Sequence, residues 1–116
     1  MQFTSNELFF LFNQPGPLWL VQADLSNAHL SCANLEKADL RGANLSGADL
    51  HGANLKGANL RVSNLCKANL SFADLSGADL SEADMREANL SETDLRKADL
   101  TGAYIKGADM LTVIVH

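Results

Sequence analysis

Residues 43–60 read ANLSGADLHGANLKGANL, in which the triplet Ala-Asn-Leu or Ala-Asp-Leu returns every five positions. The same register extends over Leu20 to Met110, with an apolar residue at every fifth position. Across residues 23–108, the position two residues earlier holds Ala, apart from Ser63 and Thr93. Such strict self-similarity is typical of a repeat architecture and is the strongest structural signal in the chain.

A five-residue period fits neither a helix nor a flat strand. In an α-helix it would advance the apolar residue by about 140° each time and spread it around the axis. In a flat strand an odd period would place successive leucines on opposite faces. A corner inside each repeat removes both conflicts, with Ala and Leu inward, Asp or Asn outward and two residues in the turn. The sequence therefore predicts a solenoid whose coils hydrogen-bond to the coils above and below.

Residues 43–60 resemble the pentapeptide-repeat family and its A(D/N)LXX consensus, and eighteen pentapeptides from Ala23 to Thr112 follow that pattern in register. The resemblance implies an all-β fold, namely a right-handed quadrilateral β-helix with four pentapeptides per coil. We expect residues 18–116 to form about 4.5 to 5 coils, preceded by a helical cap over residues 1–17. With coils about 4.8 Å apart, the repeats alone would rise roughly 22 Å.

The predicted core is the column of fifth-position side chains, each contributing roughly 1.5–3 kcal/mol when fully buried. Its members are Leu25, Leu30, Leu35, Leu40, Leu45, Leu50, Leu55, Leu60, Leu65, Leu70, Leu75, Leu80, Met85, Leu90, Leu95, Leu100, Ile105 and Met110. Gly recurs just before Ala, as at Gly47 and Gly52. This position is a predicted corner, where Gly adopts a positive φ without penalty.

The amino-terminal segment departs from the repeat. Thr4 and Glu7 have the spacing of a helix capping box before an apolar run, and Pro15 follows that run. A short helix is predicted there, and a solenoid end needs apolar cover. The predicted capping or interface residues at this end are Leu8, Phe9, Leu11, Phe12 and Trp19. A helix that binds a partner or a membrane surface is the alternative, although the segment lacks Lys and Arg.

At the other end, Val113, Ile114 and Val115 continue the register, with both valines at inward positions, and no capping helix follows. These residues are predicted to form an interface, either between two copies in a homodimer through the C-terminal coil or with further sequence.

Composition narrows the classes of function. The formal net charge of −5 over 116 residues argues against direct binding to nucleic acid, which needs clustered Lys and Arg. No apolar run approaches the roughly twenty residues of a membrane span. The amino terminus has no basic region of a signal peptide, and Cys32 and Cys66 are expected to be free thiols. We therefore expect a cytoplasmic protein.

Few residues outside the repeat pattern could bind a metal ion or take part in catalysis. Twenty-residue spacing brings His29, Cys32 and His51 to neighbouring coils, and imidazole with thiolate can bind zinc or copper. No fourth ligand is apparent, so a metal site is only the weaker alternative and no cofactor is expected. An unbranched tower offers no concave pocket, so we expect no catalytic residues and no enzyme activity.

The favoured interpretation is a non-catalytic β-solenoid that serves as a protein–protein interaction or structural module for an unidentified partner. Outward apolar residues at two corners, Val62 and Phe72, are candidate contact points. A basic streak over Lys37, Arg41, Lys56 and Arg61, mostly in the amino-terminal half of the chain, argues against an acidic surface that imitates nucleic acid.

A different kind of binding is the alternative. Some pentapeptide-repeat proteins are rods that imitate DNA and bind DNA gyrase, which protects that topoisomerase from quinolone drugs. The acidic columns that would serve such mimicry here are Asp74, Asp79, Asp94 and Asp99. The resemblance is weakened by a Leu-type column where those proteins are longer and Phe-rich, and by basic residues that interrupt the acidic surface, namely Arg86, Arg96, Lys97 and Lys106.

Overall fold

The repeat region winds into a β-solenoid with twenty residues per coil. The computed structural model describes residues 3–12 and 16–116, apart from the side chains of Ser5, Phe9, Phe10 and Phe12. Helix α1 spans Ser5–Phe12. From Trp19 onward the β structure consists of single-residue parallel bridges, each joining a residue to the one twenty positions later. The molecule measures 35 × 22 × 20 Å.

Four pentapeptides make one coil, so the tower has four faces. Each face is named after the first outward residue of its column. The columns are Trp19, Asp39, Asn59, Asp79 and Asp99; Asp24, Asn44, Asn64, Asp84 and Tyr104; His29, Asp49, Asn69, Asn89 and Asp109; and Asn34, Asn54, Asp74, Asp94 and Ile114. The predicted four-sided, all-β coil is therefore confirmed, and its right-handedness remains an implication of the family resemblance.

Three backbone hydrogen bonds join each pentapeptide to the next coil. In the repeat that contains Leu45, the Leu45 N–H donates to the Asn64 carbonyl at 2.7 Å and the Gly47 N–H donates to the Cys66 carbonyl at 2.9 Å. In the opposite direction, the Asn64 N–H donates to the Ala43 carbonyl at 2.9 Å. Because this ladder repeats at every coil, the backbone groups of interior coils are satisfied without long strands.

The corners explain why Asp or Asn stands before Leu. The Ala48 N–H donates to the Leu45 carbonyl at 3.1 Å, and Gly47 has φ 67°, the geometry of a type II turn. The side chain of Asn44 accepts a hydrogen bond from the Ser46 N–H at 3.0 Å. An Asp or Asn at this position thus satisfies a backbone donor that the turn would leave free. Among the described residues, eleven that are not glycine adopt the positive φ at other corners.

The fifth-position side chains fill the interior. From Leu25 to Leu80 each is at most 1% exposed, and Leu95 is 3% exposed. The predicted core column ends earlier than expected, because Leu100 and Met110 are half-buried and Ile105 is 47% exposed. Ile105 lies one coil after Met85, which is fully buried, so burial of this column decreases toward the last coil described.

At the amino-terminal end the predicted capping box is present. The Glu7 N–H donates to Thr4 Oγ1 at 3.1 Å, and the Thr4 N–H donates to Glu7 Oε1 at 2.9 Å. Of the predicted capping residues, Leu8 and Leu11 are partly buried and pack against the core, together with Phe3. The predictions for the Phe9 and Phe12 side chains lie outside the described residues.

Trp19 does not belong to the predicted cap. Its side chain is 82% exposed. The reason is its register, because Leu18 and Leu20 take the two inward positions and leave Trp19 the outward one, where it bridges to Asp39. Trp19 is therefore a surface residue of the first coil.

The carboxyl-terminal residues are less buried than the pattern predicts. Val113 is half-buried, whereas Ile114 is 39% and Val115 54% exposed. The pattern predicts an inward Val115, whereas the structure leaves more than half of this residue exposed. The Ile114 N–H still donates to the Thr93 carbonyl at 2.9 Å, so this segment continues the ladder.

Candidate functional site

The side chains free to contact a partner are those that depart from the repeat. Trp19, Lys37 and Arg41 border an open depression of about 440 Å³ on the Trp19 face. A second depression of about 610 Å³ lies at the corner between the Trp19 and Asp24 faces and includes Val21, Arg41 and Val62. Arg41 belongs to both, so the two depressions form one continuous surface. Val21 was not singled out in the sequence, although it is apolar at a corner position that later coils fill with Arg, Ser or Thr.

Three of the arginines form two-point ion pairs with an Asp two residues earlier. The Nη2–Oδ2 distance is 2.6 Å in each pair. The members are Arg41 with Asp39, Arg86 with Asp84, and Arg96 with Asp94. The hydrogen bond from the guanidinium lowers the pKa of each of these carboxyl groups and raises the pKa of the arginine. The three guanidinium groups are therefore already paired with carboxylates of the same chain.

The structure stacks the predicted acidic columns in register. Asp74 bridges to Asp94 on the Asn34 face, and Asp79 bridges to Asp99 on the Trp19 face. Each carboxylate accepts a hydrogen bond from the backbone N–H two residues later. Hydrogen bonds from Thr101 lower the pKa of Asp99. These carboxylates therefore hold their corners as Asn does elsewhere, and Arg96 partly neutralises one column.

His51 contacts Phe72 and Ser71, both of which lie one coil further on. Its ring meets Phe72 edge to face, with centroids 5.6 Å apart. His51 Nδ1 lies 2.8 Å from Ser71 Oγ, which donates its own hydrogen to Asn69 Oδ1 at 2.7 Å. Ser71 Oγ therefore links the imidazole of His51 to the side chain that holds the next corner. Phe72 remains 62% exposed.

The predicted metal-site candidates do not come together as a ligand set. In the described part of the chain, no three His, Cys, Asp or Glu side chains are grouped so as to hold a metal ion. His29 projects from the middle of its face, where it bridges to Asp49. His51 turns toward Ser71, and Cys32 accepts a 3.8 Å contact from Ser31 Oγ. Cys32 and Cys66 are both free thiols, the first exposed and the second half-buried.

Comparison with known proteins defines the family. The model of the family described as pentapeptide repeats matches in eight copies, over residues 19–47, 43–81 and 73–110. This protein belongs to the pentapeptide-repeat family. No curated protein sequence matches the chain.

Several solved structures share the fold. A pentapeptide repeat protein from the thylakoid lumen of Arabidopsis thaliana is 32% identical, with a TM-score of 0.81 over 84% of this chain and 68% of the other. One from Nostoc is 38% identical, with a TM-score of 0.52 over 87% of this chain and 89% of the other. QnrB1, a plasmid-mediated fluoroquinolone resistance protein, is 26% identical, with a TM-score of 0.65 over 69% of this chain but only 39% of QnrB1.

One similar structure comes from the thylakoid lumen. Within residues 3–12 and 16–116, no helix has the length and apolar character needed to cross a membrane.

Proposed function

We propose that this chain is a non-catalytic scaffold that binds another protein through side chains projecting from its faces and ends. One observation carries the proposal: the residues that obey the repeat are consumed by the interior and the corners, whereas Trp19, Val62 and Phe72 depart from it and are 82%, 54% and 62% exposed. Aromatic residues such as Trp and Phe are enriched in protein interfaces relative to the rest of the protein surface. The depressions are open to solvent, which suits a protein surface better than a small substrate.

The proposal is tested by affinity capture from extracts of the source cells, with the intact chain and with residues 18–116 as separate baits. An unrelated β-solenoid of similar charge is the matched control. We expect the same protein on both chain baits and not on the control, and purified partner should bind the purified chain directly. Loss on truncation would assign binding to the amino-terminal segment, and the absence of any specific partner would contradict the proposal.

We further propose that α1 and Phe3 cap the first coil, so that residues 1–17 act as a unit distinct from the solenoid of residues 18–116. The two ends support this: Leu25 in the first coil is 1% exposed, whereas Ile105 in the last is 47% exposed. Paired Leu8→Ser and Leu11→Ser substitutions should lower the free energy of unfolding and increase binding of a hydrophobic dye. Unchanged stability would contradict a capping role.

The carboxyl-terminal coil is proposed as a homodimer interface. Leu111 is 91% exposed, and Ile114 and Val115 lie beside it with partly exposed side chains. A second copy would remove this apolar surface from water. Light scattering at tens of micromolar should give a dimer mass that Val115→Asp reduces to a monomer. A strict monomer for the unaltered chain would contradict this proposal.

Binding to DNA gyrase is the second candidate function, and its specific support is the structural similarity to QnrB1 together with the stacked Asp74 and Asp94. The ion pair between Asp94 and Arg96 weakens the acidic surface that such binding would need. Purified protein at micromolar concentration should inhibit gyrase supercoiling if this candidate is correct, and no inhibition would reject it.

A further inference from the structure

Arg61 differs from the other arginines in the residue that lies two positions before it. The other three follow an Asp by two positions and bind it in two-point ion pairs. Arg61 follows Asn59, whose amide carries no charge. Its carboxylate contact is with Glu82 at 3.9 Å, and both side chains are more than half exposed. An ion pair of that length between exposed groups holds the guanidinium weakly, so Arg61 can still bind a carboxylate at two points.

The residue beside Arg61 carries backbone strain. Val62 has φ 61°, in the left-handed region, and it is the β-branched residue among the corners with positive φ. A β-branched side chain in this region is a genuine outlier, and the left-handed conformation costs roughly 1–2 kcal/mol per residue. Strain of this kind is retained where another role opposes its removal. Val62 is also 54% exposed, so packing within this chain does not account for it.

Val21 adds a second exposed apolar side chain to the depression that Arg61 borders. Val21 is 45% exposed and shares the depression of about 610 Å³ with Arg61 and Val62. Gln22 and Arg41 also line the depression, and the Gln22 side chain lies over Gly42. The depression therefore presents a guanidinium beside two exposed valines, which suits a segment that carries both a carboxylate and an apolar side chain.

Trp19 extends this surface onto the neighbouring face. Its depression is joined to that of Arg61 through Arg41, which borders both. The indole is 82% exposed, and an exposed aromatic ring beside an arginine is typical of protein-binding surfaces. Trp19 is also the single tryptophan of the chain, so its fluorescence reports on this surface alone.

We propose that Arg61, Val21 and Val62 form a docking site for an exposed acidic segment of a partner protein, in which an Asp or Glu stands next to an apolar residue. The Arg61 guanidinium donates two hydrogen bonds to the carboxylate, the valines pack against the apolar neighbour, and the segment continues toward Trp19. Charge complementarity selects this occupant, because Arg61 and Lys37 present positive charge on a chain whose net charge is −5. The inference rests on the proposed function of protein binding.

Short random peptides displayed on phage and selected on the full chain provide the test. We expect the enriched peptides to contain Asp or Glu beside an apolar residue. A synthetic copy of an enriched peptide, with both termini blocked, should change Trp19 fluorescence in a saturable manner. Arg61→Gln should bind it at least about tenfold more weakly, and Arg61→Lys should be intermediate because it keeps the charge but loses the two-point geometry.

Arg96→Gln is the matched control, because Arg96 is equally exposed but already paired with Asp94. Its affinity should stay within about twofold of the unaltered chain. Three outcomes would overturn the site. The enriched peptides could lack carboxylates, Arg61→Gln could bind the selected peptide as tightly as the unaltered chain, or a single-stranded oligonucleotide could bind more tightly than the peptide. Peptides selected equally well by Arg61→Gln would leave protein binding intact and reject only this surface. No enrichment on any bait would reject both.

Discussion

Thr93 Oγ1 donates a hydrogen bond to the Leu70 carbonyl oxygen at 2.7 Å from a fully buried position that almost every other repeat fills with Ala. Ser63 stands at the equivalent position of another repeat and is 1% exposed, but its Oγ has no hydrogen-bond partner within the described residues. Two hydroxyl groups at equivalent positions therefore differ in whether their burial is compensated.

The two substitutions to Ala should change stability in opposite directions. Ser63→Ala removes an uncompensated buried hydroxyl and should raise the free energy of unfolding by about 1 kcal/mol. Thr93→Ala removes a satisfied one and should lower it by about 1–2 kcal/mol. Urea denaturation of both variants gives the comparison. A loss of stability in Ser63→Ala would show that its hydroxyl finds a partner, such as a buried water.

The Leu column should dominate stability in the middle of the tower. Leu55 is fully buried, with coils on both sides, so Leu55→Ala should lower the free energy of unfolding by about 2–5 kcal/mol. Lys56→Ala is the control, because Lys56 is exposed in the same repeat and its substitution should change stability by less than about 0.5 kcal/mol. Comparable losses in the two variants would contradict the burial pattern.

A substitution that relieves the backbone strain at Val62 should stabilise the fold and at the same time weaken binding of the selected peptide. Asn tolerates the left-handed region, as Asn27 shows with φ 58°. Val62→Asn should therefore raise the free energy of unfolding by about 1 kcal/mol while it weakens binding of the selected peptide. Lys67→Asn is the control, at the same φ of 61° but without a β-branch. If Val62→Asn proves less stable than the unaltered chain, the strain is not real.

Acid should destabilise the protein through the corner carboxylates. Hydrogen bonds from Arg or Ser side chains lower the pKa of Asp24, Asp39, Asp84 and Asp94 below the ordinary value of 3.8. A carboxyl whose pKa is lower in the folded state stabilises the fold above the unfolded value and loses that effect as pH falls through the folded value. The free energy of unfolding should stay level from pH 7 to pH 5 and fall below about pH 4.

Asp94→Asn separates the charge from the hydrogen bond, since Asn fills the same position in other repeats and keeps an acceptor for the Arg96 N–H. This variant should lose less stability between pH 5 and pH 3 than the unaltered chain does. An equal or larger acid loss would contradict the sign of the shift.

The interior was predictable because the five-residue period leaves one geometry that buries every Leu. The same register would have placed Trp19 outward, since Leu18 and Leu20 take the inward positions; its aromatic character suggested a cap instead. The exposure of Ile105 was not predictable in this way, because the period gives the direction of a side chain but not how much the neighbouring coils bury it.

The candidate surface was only partly visible in the sequence. Asn59 before Arg61, where the other arginines follow an Asp, is a readable signal, because a two-point pair needs a carboxylate at that spacing. The position of His51 depends on a side-chain rotamer that turns the ring toward Ser71 and Phe72. Twenty-residue spacing identifies neighbours but not the direction in which a side chain turns.

Chemical-shift mapping of the isotope-labelled full chain with the selected acidic peptide tests the binding account most directly. The account predicts that the perturbed amide signals cluster around Trp19, Val21, Arg41, Arg61 and Val62 and disappear in Arg61→Gln. Perturbations confined to the Phe72 corner or to the last coil, or unchanged by Arg61→Gln, would contradict it.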